Sequence, residues 1–176
     1  MIVIDLFDDL ELSTCRRINA LSRWRSVRAF FALVSRLGDY PAWVGFGIVC
    51  ALQQGSEMPV FVVQTLVTSG IGIFAYKVLK QRLVRERPYI RHEGEIECGT
   101  APLDRYSFPS GHTLHAASFA VLYGSYEPSM LFVLVPFGLL VAASRVILGL
   151  HYPSDVLAGA ALGAGIAAAS VSIVGV

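Results

Sequence analysis

Apolar and polar residues along this chain do not alternate; they segregate into blocks. Five blocks are almost uniformly apolar: 40–53, 58–79, 111–123, 130–150 and 156–176. A bilayer core about 30 Å thick needs about 20 residues of helix. The second, fourth and fifth blocks reach that length as they stand. The third reaches it with Ser110 and the residues up to Tyr126 included, and the first is short unless extended backwards. Soluble cores rarely need so many uniformly apolar runs. In the last block, AGAALGAGIAAAS, small residues suit close helix packing in lipid. The expected fold class is all-α, an integral membrane bundle of five to six transmembrane helices.

The N-terminal part has a different pattern. From Leu10 to Arg36, six arginines (16, 17, 23, 25, 28 and 36) are interleaved with Leu, Ile, Trp24 and paired Phe residues. That mixture predicts amphipathic helices lying at the interface, broken near Gly38–Asp39–Tyr40–Pro41. A short sixth span at 30–37 is the alternative. Trp24 and Trp43 are expected near the headgroups. The chain thus reads as a single domain, 1–176, with an amphipathic region at 1–37 and a transmembrane core at 38–176. Its one long polar connection, 85–109, has a length that is usually functional or disordered.

Composition agrees with the pattern. Of 176 residues, 55% are hydrophobic and 15% are charged, against about 25% charged in a soluble domain. The net charge of +1 marks out no nucleic-acid-binding chain; the bilayer is the expected surrounding. The opening MIVIDLFDDLEL has acids where a signal peptide would be basic, so no cleavable signal is expected. Cys15, Cys50 and Cys98 match no metal-ligand spacing and read as packing thiols, with a Cys15–Cys98 bridge left open.

What changes the picture is where the ionisable residues fall. If the spans alternate in direction, one face collects the end of the second, the start of the third, the end of the fourth and the start of the fifth. That face carries Lys80, Arg82, Arg85, Arg87, His112, Arg145, His151 and Asp155. The opposite face has the loops QQGSE and GSYEP and no Lys or Arg. Charges at membrane depth cost roughly 2.5–3.5 kcal/mol each on insertion scales, so a cluster of them marks a site. Lys80, Arg87 and Arg145 are fixed cations suited to phosphoryl oxygens. Pro109-Ser110-Gly111 opens a helix whose free N–H groups suit an anion, with the Ser110 hydroxyl as a further donor. His112 and His151 supply an acid and a nucleophile. Asp155 could accept the N–H of His151 and fix its tautomer. With one acid near the site, no metal is expected. Lys77, Arg82 and Arg85 read as interfacial charges, His92 as a loop residue, and His115 as facing the next helix.

These residues spell three blocks: Lys80 to Arg87-Pro88 (KQRLVRERP), Pro109-Ser110-Gly111-His112, and Ser144-Arg145 through His151 to Asp155 (SRVILGLHYPSD). Together they closely resemble the three-part motif of the type 2 phosphatidic acid phosphatase superfamily, which also includes bacterial acid phosphatases and vanadium haloperoxidases. The resemblance implies that His151 attacks phosphorus and forms a phosphohistidine, with Asp155 orienting it. It implies that His112 protonates the leaving oxygen and then activates water. Lys80, Arg87, Ser110, the Gly111 amide and Arg145 would hold the phosphoryl oxygens, without metal or other cofactor. Hydropathy selects the integral membrane branch, whose substrates are lipid phosphates: phosphatidic acid, phosphatidylglycerol phosphate, undecaprenyl pyrophosphate or lipid A 1-phosphate. A phosphotransferase using the same phosphohistidine and a non-catalytic lipid-phosphate binder are the alternatives. The small bacterial members imply a multi-pass protein of the inner membrane with its site facing outward, against the cytoplasmic placement that the basic face alone would give.

Overall fold

The computed structural model describes residues 2–101 and 104–176, with side chains from residue 9 onward. The helices are α1 (Ile2–Asn19), α2 (Arg25–Leu37), α3 (Pro41–Gln53), α4 (Met58–Leu83), the single turn α5 (Pro88–Arg91), α6 (Gly111–Tyr126), α7 (Leu131–Ile147) and α8 (Pro153–Val174). The five apolar blocks become α3, α4, α6, α7 and α8. Among the described residues there is no strand, and Glu86 and Tyr106 form an isolated antiparallel bridge. Proline sits in the first turn of α3, α4, α5 and α8, where its missing N–H has no intrahelical partner to lose.

Three segments are long and apolar enough to cross a bilayer: Gly55–Leu83, Pro128–Ile147 and Pro153–Val174. The other two apolar helices are shorter, 13 residues in α3 and 16 in α6. At about 1.5 Å per residue these reach only about 20 and 24 Å. The shortness of α6 is tolerated because α8, α7, α4 and α3 all pack around it. It is the centre of the bundle, and its first turn lies against α8 inside the fold.

Close packing fixes where that first turn lies. A Cβ at Gly163 would overlap the Leu114 carbonyl, and one at Gly159 the Ser110 carbonyl. The small residues of α8 therefore let the two backbones approach until the Ser110 N–H donates to the Asp155 carbonyl oxygen at 3.0 Å. The starts of α6 and α8 are held in register, and so are the motif residues on them.

At the start of α3, Trp43 departs from the headgroup position expected of it. It is 1% exposed and packs among Phe46, Phe119 and Phe137. The indole N–H donates to the Gly38 carbonyl at 2.9 Å, so burial leaves no unpaired donor. Trp24 is exposed, just ahead of α2.

Both α1 and α2 pack on the bundle. α2 packs on α7, and α1 on both α7 and α8. Asn19 ties three segments together, donating to Ile147 and Glu97 carbonyls at 2.9 Å and accepting from the Glu97 N–H at 2.9 Å. α2 has 13 residues, about 20 Å, shorter than the run of about 20 residues that a bilayer span needs. Its outer face exposes Phe30, Leu33 and Leu37. All three cysteines are free, Cys15 and Cys50 buried and Cys98 exposed, so the Cys15–Cys98 bridge is not formed.

Candidate active site

At the end of the bundle where α4 finishes and α6 begins lies a cavity of about 310 Å³. Of the eight expected site residues, it brings together Lys80, Arg87, Gly111, His112, Arg145 and His151. Asp155 stands directly behind His151, and Ser110 behind Gly111.

His151 is placed by the turn between α7 and α8. Gly149 adopts φ +72°, a left-handed conformation that suits glycine. The chain then folds back so that the N–H groups of Leu150 and His151 both donate to the Arg145 carbonyl, at 3.0 and 3.1 Å. The imidazole is 2% exposed, with Nε2 3.2 Å from Arg87 Nη1. Burial, with Arg87 and Arg145 alongside, pushes this histidine well below its ordinary pKa despite the opposing Asp155. The ring is neutral at neutral pH.

Asp155 has more partners than expected. One carboxylate oxygen accepts the Tyr152 N–H at 2.8 Å, closing the first turn of α8. The other accepts from Arg85 at 2.6 Å. His151 Nδ1 lies 3.7 Å from Asp155 Oδ2, beyond hydrogen-bond range. It is buried without a hydrogen-bond partner. The His–Asp neighbourhood is formed, and the hydrogen bond between the two is not.

The cations come from three segments. Lys80, on the last turns of α4, reaches Asp104 at 2.7 Å. Arg87 holds the same carboxylate through Nη2 at 2.9 Å and the Asp104 carbonyl through Nε at 2.7 Å. Its Nη1 donates to the Leu150 carbonyl at 3.0 Å. Burial works against a charged Asp104, but Lys80 and Arg87 outweigh it and hold the carboxyl below its usual range. Arg145 is 2% exposed; its guanidinium donates to the Ser35 hydroxyl on α2, and its Nε has no partner.

At the start of α6, the Ser110 hydroxyl is fully buried and shares a 3.0 Å hydrogen bond with the Thr113 hydroxyl. It also accepts from the Thr113 N–H at 3.5 Å, a long N-cap contact. Its expected place facing an anion is thus taken by a capping one, and Gly111 is the residue that faces the cavity. His112 Nε2 lies 2.6 Å from Asp39 Oδ1.

Several residues that complete the site were not singled out in the sequence. Arg85, read as an interfacial charge, is instead drawn inward. It bridges Asp155 at 2.6 Å and Glu11 of α1 at 2.5 Å, and lies 4.0 Å above the Tyr152 ring. Two carboxylates and an aromatic face give a guanidinium what water would otherwise give it. Glu11 also accepts the Ser154 N–H at 2.8 Å. Asp104 and Asp39 join the cavity wall from connections, and Ser35 from α2. None of these has a motif; the sole hint is that Asp39 is the first acid after the arginine-rich stretch 16–36. His115 faces Tyr76 of α4 and also lines the cavity, while His92 lies outside it near Tyr152. Lys77 and Arg82 are exposed, as interfacial charges should be.

The comparisons with known proteins converge on this architecture. The decaprenylphosphoryl-5-phosphoribose phosphatase of Mycobacterium tuberculosis is 40% identical over 112 residues, 61% of this chain and 60% of that protein. The chain therefore spans less than two thirds of that relative's length. The protein of the same description from Mycolicibacterium smegmatis is 31% identical over 133 residues, covering 72% of this chain and 67% of that one. The crystal structure of Aquifex aeolicus LpxE superposes with a TM-score of 0.75 at 25% identity, covering 93% of this chain and 95% of that one. Residues 61–176, which carry all three motif blocks, match the PAP2 superfamily, and the chain belongs to that superfamily.

Proposed function

We propose that this protein is a phosphoric ester hydrolase that removes phosphate from a membrane lipid through a phosphohistidine. One observation carries the reading: a neutral, buried imidazole and three cations from three separate segments share one cavity at the end of membrane helices. The cavity has room for a headgroup, and the lipid tail stays among the apolar helix faces. Relatives with a phosphatase description, and the superfamily itself, support the reaction class.

The chemistry follows from the partners. Lys80, Arg87, Arg145 and the Gly111 N–H receive the phosphoryl oxygens, the unpartnered Nε of Arg145 among the donors. The phosphate displaces the Asp104 carboxylate from Lys80 and Arg87. The lone pair of His151 Nε2 attacks phosphorus while the bond to the leaving oxygen breaks, and that oxygen takes a proton from His112. The phosphoimidazolium keeps its proton on Nδ1, and the charge of Asp155 beside it stabilises the cation. Water then attacks phosphorus, gives its proton to His112, and His151 leaves as the neutral imidazole. Charge on the phosphoryl group is met by side chains, so we propose that turnover needs no metal. Ser110 serves by capping α6, which holds the Gly111 amide in place.

The test is phosphate release by detergent-purified protein in EDTA. The lipids are phosphatidic acid, phosphatidylglycerol phosphate, undecaprenyl pyrophosphate, lipid A and decaprenylphosphoryl-5-phosphoribose, with His151→Ala in parallel. Release that survives EDTA and needs His151 supports the reading and ranks the substrates. Undiminished release by His151→Ala would overturn the mechanism. We also propose that the site faces outward from a bacterial inner membrane. Cys98 is exposed on the site-side connection while the other thiols are buried. A membrane-impermeant thiol reagent is expected to label Cys98 on intact spheroplasts, and labelling only in inverted vesicles would reverse the orientation.

A further inference from the structure

The hydrogen bond expected between His151 and Asp155 is absent, yet an aspartate–histidine contact of 2.6 Å exists on the other imidazole. It joins His112 Nε2 to Asp39 Oδ1, from the turn between α2 and α3. Asp39 lies outside the three motif blocks and outside the residues that match the superfamily. We propose that Asp39 is the positioning residue for His112, holding on that ring the proton that the leaving oxygen takes. The proposal rests on the phosphatase reading above and adds a member to its machinery.

The surroundings of the ring make such a partner necessary. Burial first, and then the charges of Arg145 from α7 and Arg87 from the connection after α4, disfavour a positive charge on His112. His115 is a second imidazole one turn along α6, and His151 and Lys80 line the same cavity. Tyr40 and Tyr76 also face it. Of the two carboxylates in the wall, Asp104 is committed to Lys80 and Arg87. Asp39 is the one left to favour an imidazolium. Its own carboxyl is held below the usual range, chiefly by the His112 hydrogen bond, so it stays ionised at neutral pH. The contact commits Nε2, fixes the ring plane, and leaves Nδ1 to serve the leaving oxygen. In the first step the proton passes from His112 to the alkoxide as the P–O bond breaks. In the second, the neutral ring takes a proton from the attacking water, and Asp39 again stabilises the cation.

A leaving group's need for a proton separates this role from simple packing. The alkoxide of a lipid phosphate is a poor leaving group and must be protonated as it departs, whereas p-nitrophenolate leaves unaided. We expect Asp39→Asn to lower kcat on phosphatidic acid by about ten- to hundredfold, a substantial part of what general acid catalysis provides. Its loss on p-nitrophenyl phosphate should be smaller, because only the water step then draws on His112, and an unaltered melting temperature shows that the variant is folded. The alkaline limb of the pH–rate profile on phosphatidic acid should move to lower pH, because the proton on His112 is lost more easily. Asp39→Glu should restore part of the rate. Equal losses on both esters, or no loss on either, would overturn the role of Asp39 while leaving the phosphatase reading intact. A wild-type protein that hydrolyses neither ester would sink that reading and this proposal together.

Discussion

The cavity has two walls of different kinds. One is built by α4, α6, α7 and the turn before α8, and carries Lys80, Gly111, His112, Arg145 and His151. The other is built by α2 and the turn that follows, and carries Ser35 and Asp39, with Glu11 of α1 standing behind the cavity on Arg85. The first wall supplies the cations and imidazoles that would touch a phosphate. The second supplies groups that hold them, Ser35 on Arg145 and Asp39 on His112, while Glu11 behind it holds Arg85, which in turn holds Asp155. A buried cation without a partner is among the most costly groups a fold can contain. The difference teaches that a highly charged site needs a counter-wall, and that here the counter-wall is the amphipathic N-terminal region.

The sharpest way to break this division of labour is to remove a residue from each wall. His151→Ala takes away the proposed nucleophile and should abolish lipid phosphate hydrolysis, a loss of about 10⁴-fold or more on the scale of nucleophile–base sets. Trapping with ³²P-labelled lipid and denaturing quench should label the wild type and leave His151→Ala unlabelled. A labelled variant would place the phosphoryl acceptor elsewhere.

Glu11→Ala comes next. It removes one of the two carboxylates on Arg85, leaves a part-buried guanidinium with Asp155 alone, and frees the Ser154 N–H at the start of α8. Breaking a buried pair costs about 3–5 kcal/mol in the most closed settings. Arg85 keeps a second carboxylate and Tyr152, so less is expected here. We expect kcat to fall by about tenfold or more, with KM little changed, because the disturbance reaches His151 through Asp155 rather than the bound phosphate. If α1 merely covers the bundle, kcat will be unaltered and the two-wall account fails at this point.

The walls also differ in how far they could be read in advance. The five apolar helices were legible because membrane helices leave no room for polar residues on their lipid faces, so block length alone located them. The first wall was legible because its chemistry recurs at fixed spacings within single turns, as in Arg145 to His151 and His151 to Asp155. The second was not, because Glu11 meets Arg85 across 74 residues and Asp39 meets His112 across 73. No local period records such a meeting. Trp43 and Arg85 were misplaced for a shared reason: each is amphiphilic, and the interface is its default only when no partner exists inside. Gly38 gave one an acceptor, and Glu11 with Asp155 gave the other its counter-charge.

Asp104 belongs to neither wall and sharpens the contrast by competing with the ligand. Its carboxylate sits on Lys80 and Arg87, where a phosphoryl oxygen would go. Asp104→Asn should therefore tighten inhibition by inorganic phosphate. The side chain is 41% exposed, and such an ion pair is worth about 0.5–1 kcal/mol after screening, so the gain should be about two- to fivefold. Weaker inhibition would mean that Asp104 organises the two cations rather than occupying their place.

An effect of similar size tests the most buried link between the walls. Ser35 on α2 accepts from Arg145, whose Nε already lacks a partner. Ser35→Ala removes that acceptor and leaves Arg145 with less to fix its plane. The loss of a single hydroxyl acceptor is worth about 1 kcal/mol, or about fivefold in binding. Arg145 is proposed to hold the phosphate equally before and during reaction, so the change should appear as a raised KM with kcat preserved. Asp39→Asn is expected to do the reverse, lowering kcat with KM little changed. If both substitutions moved the same parameter, the second wall would act as one structural support rather than as separate partners for separate groups.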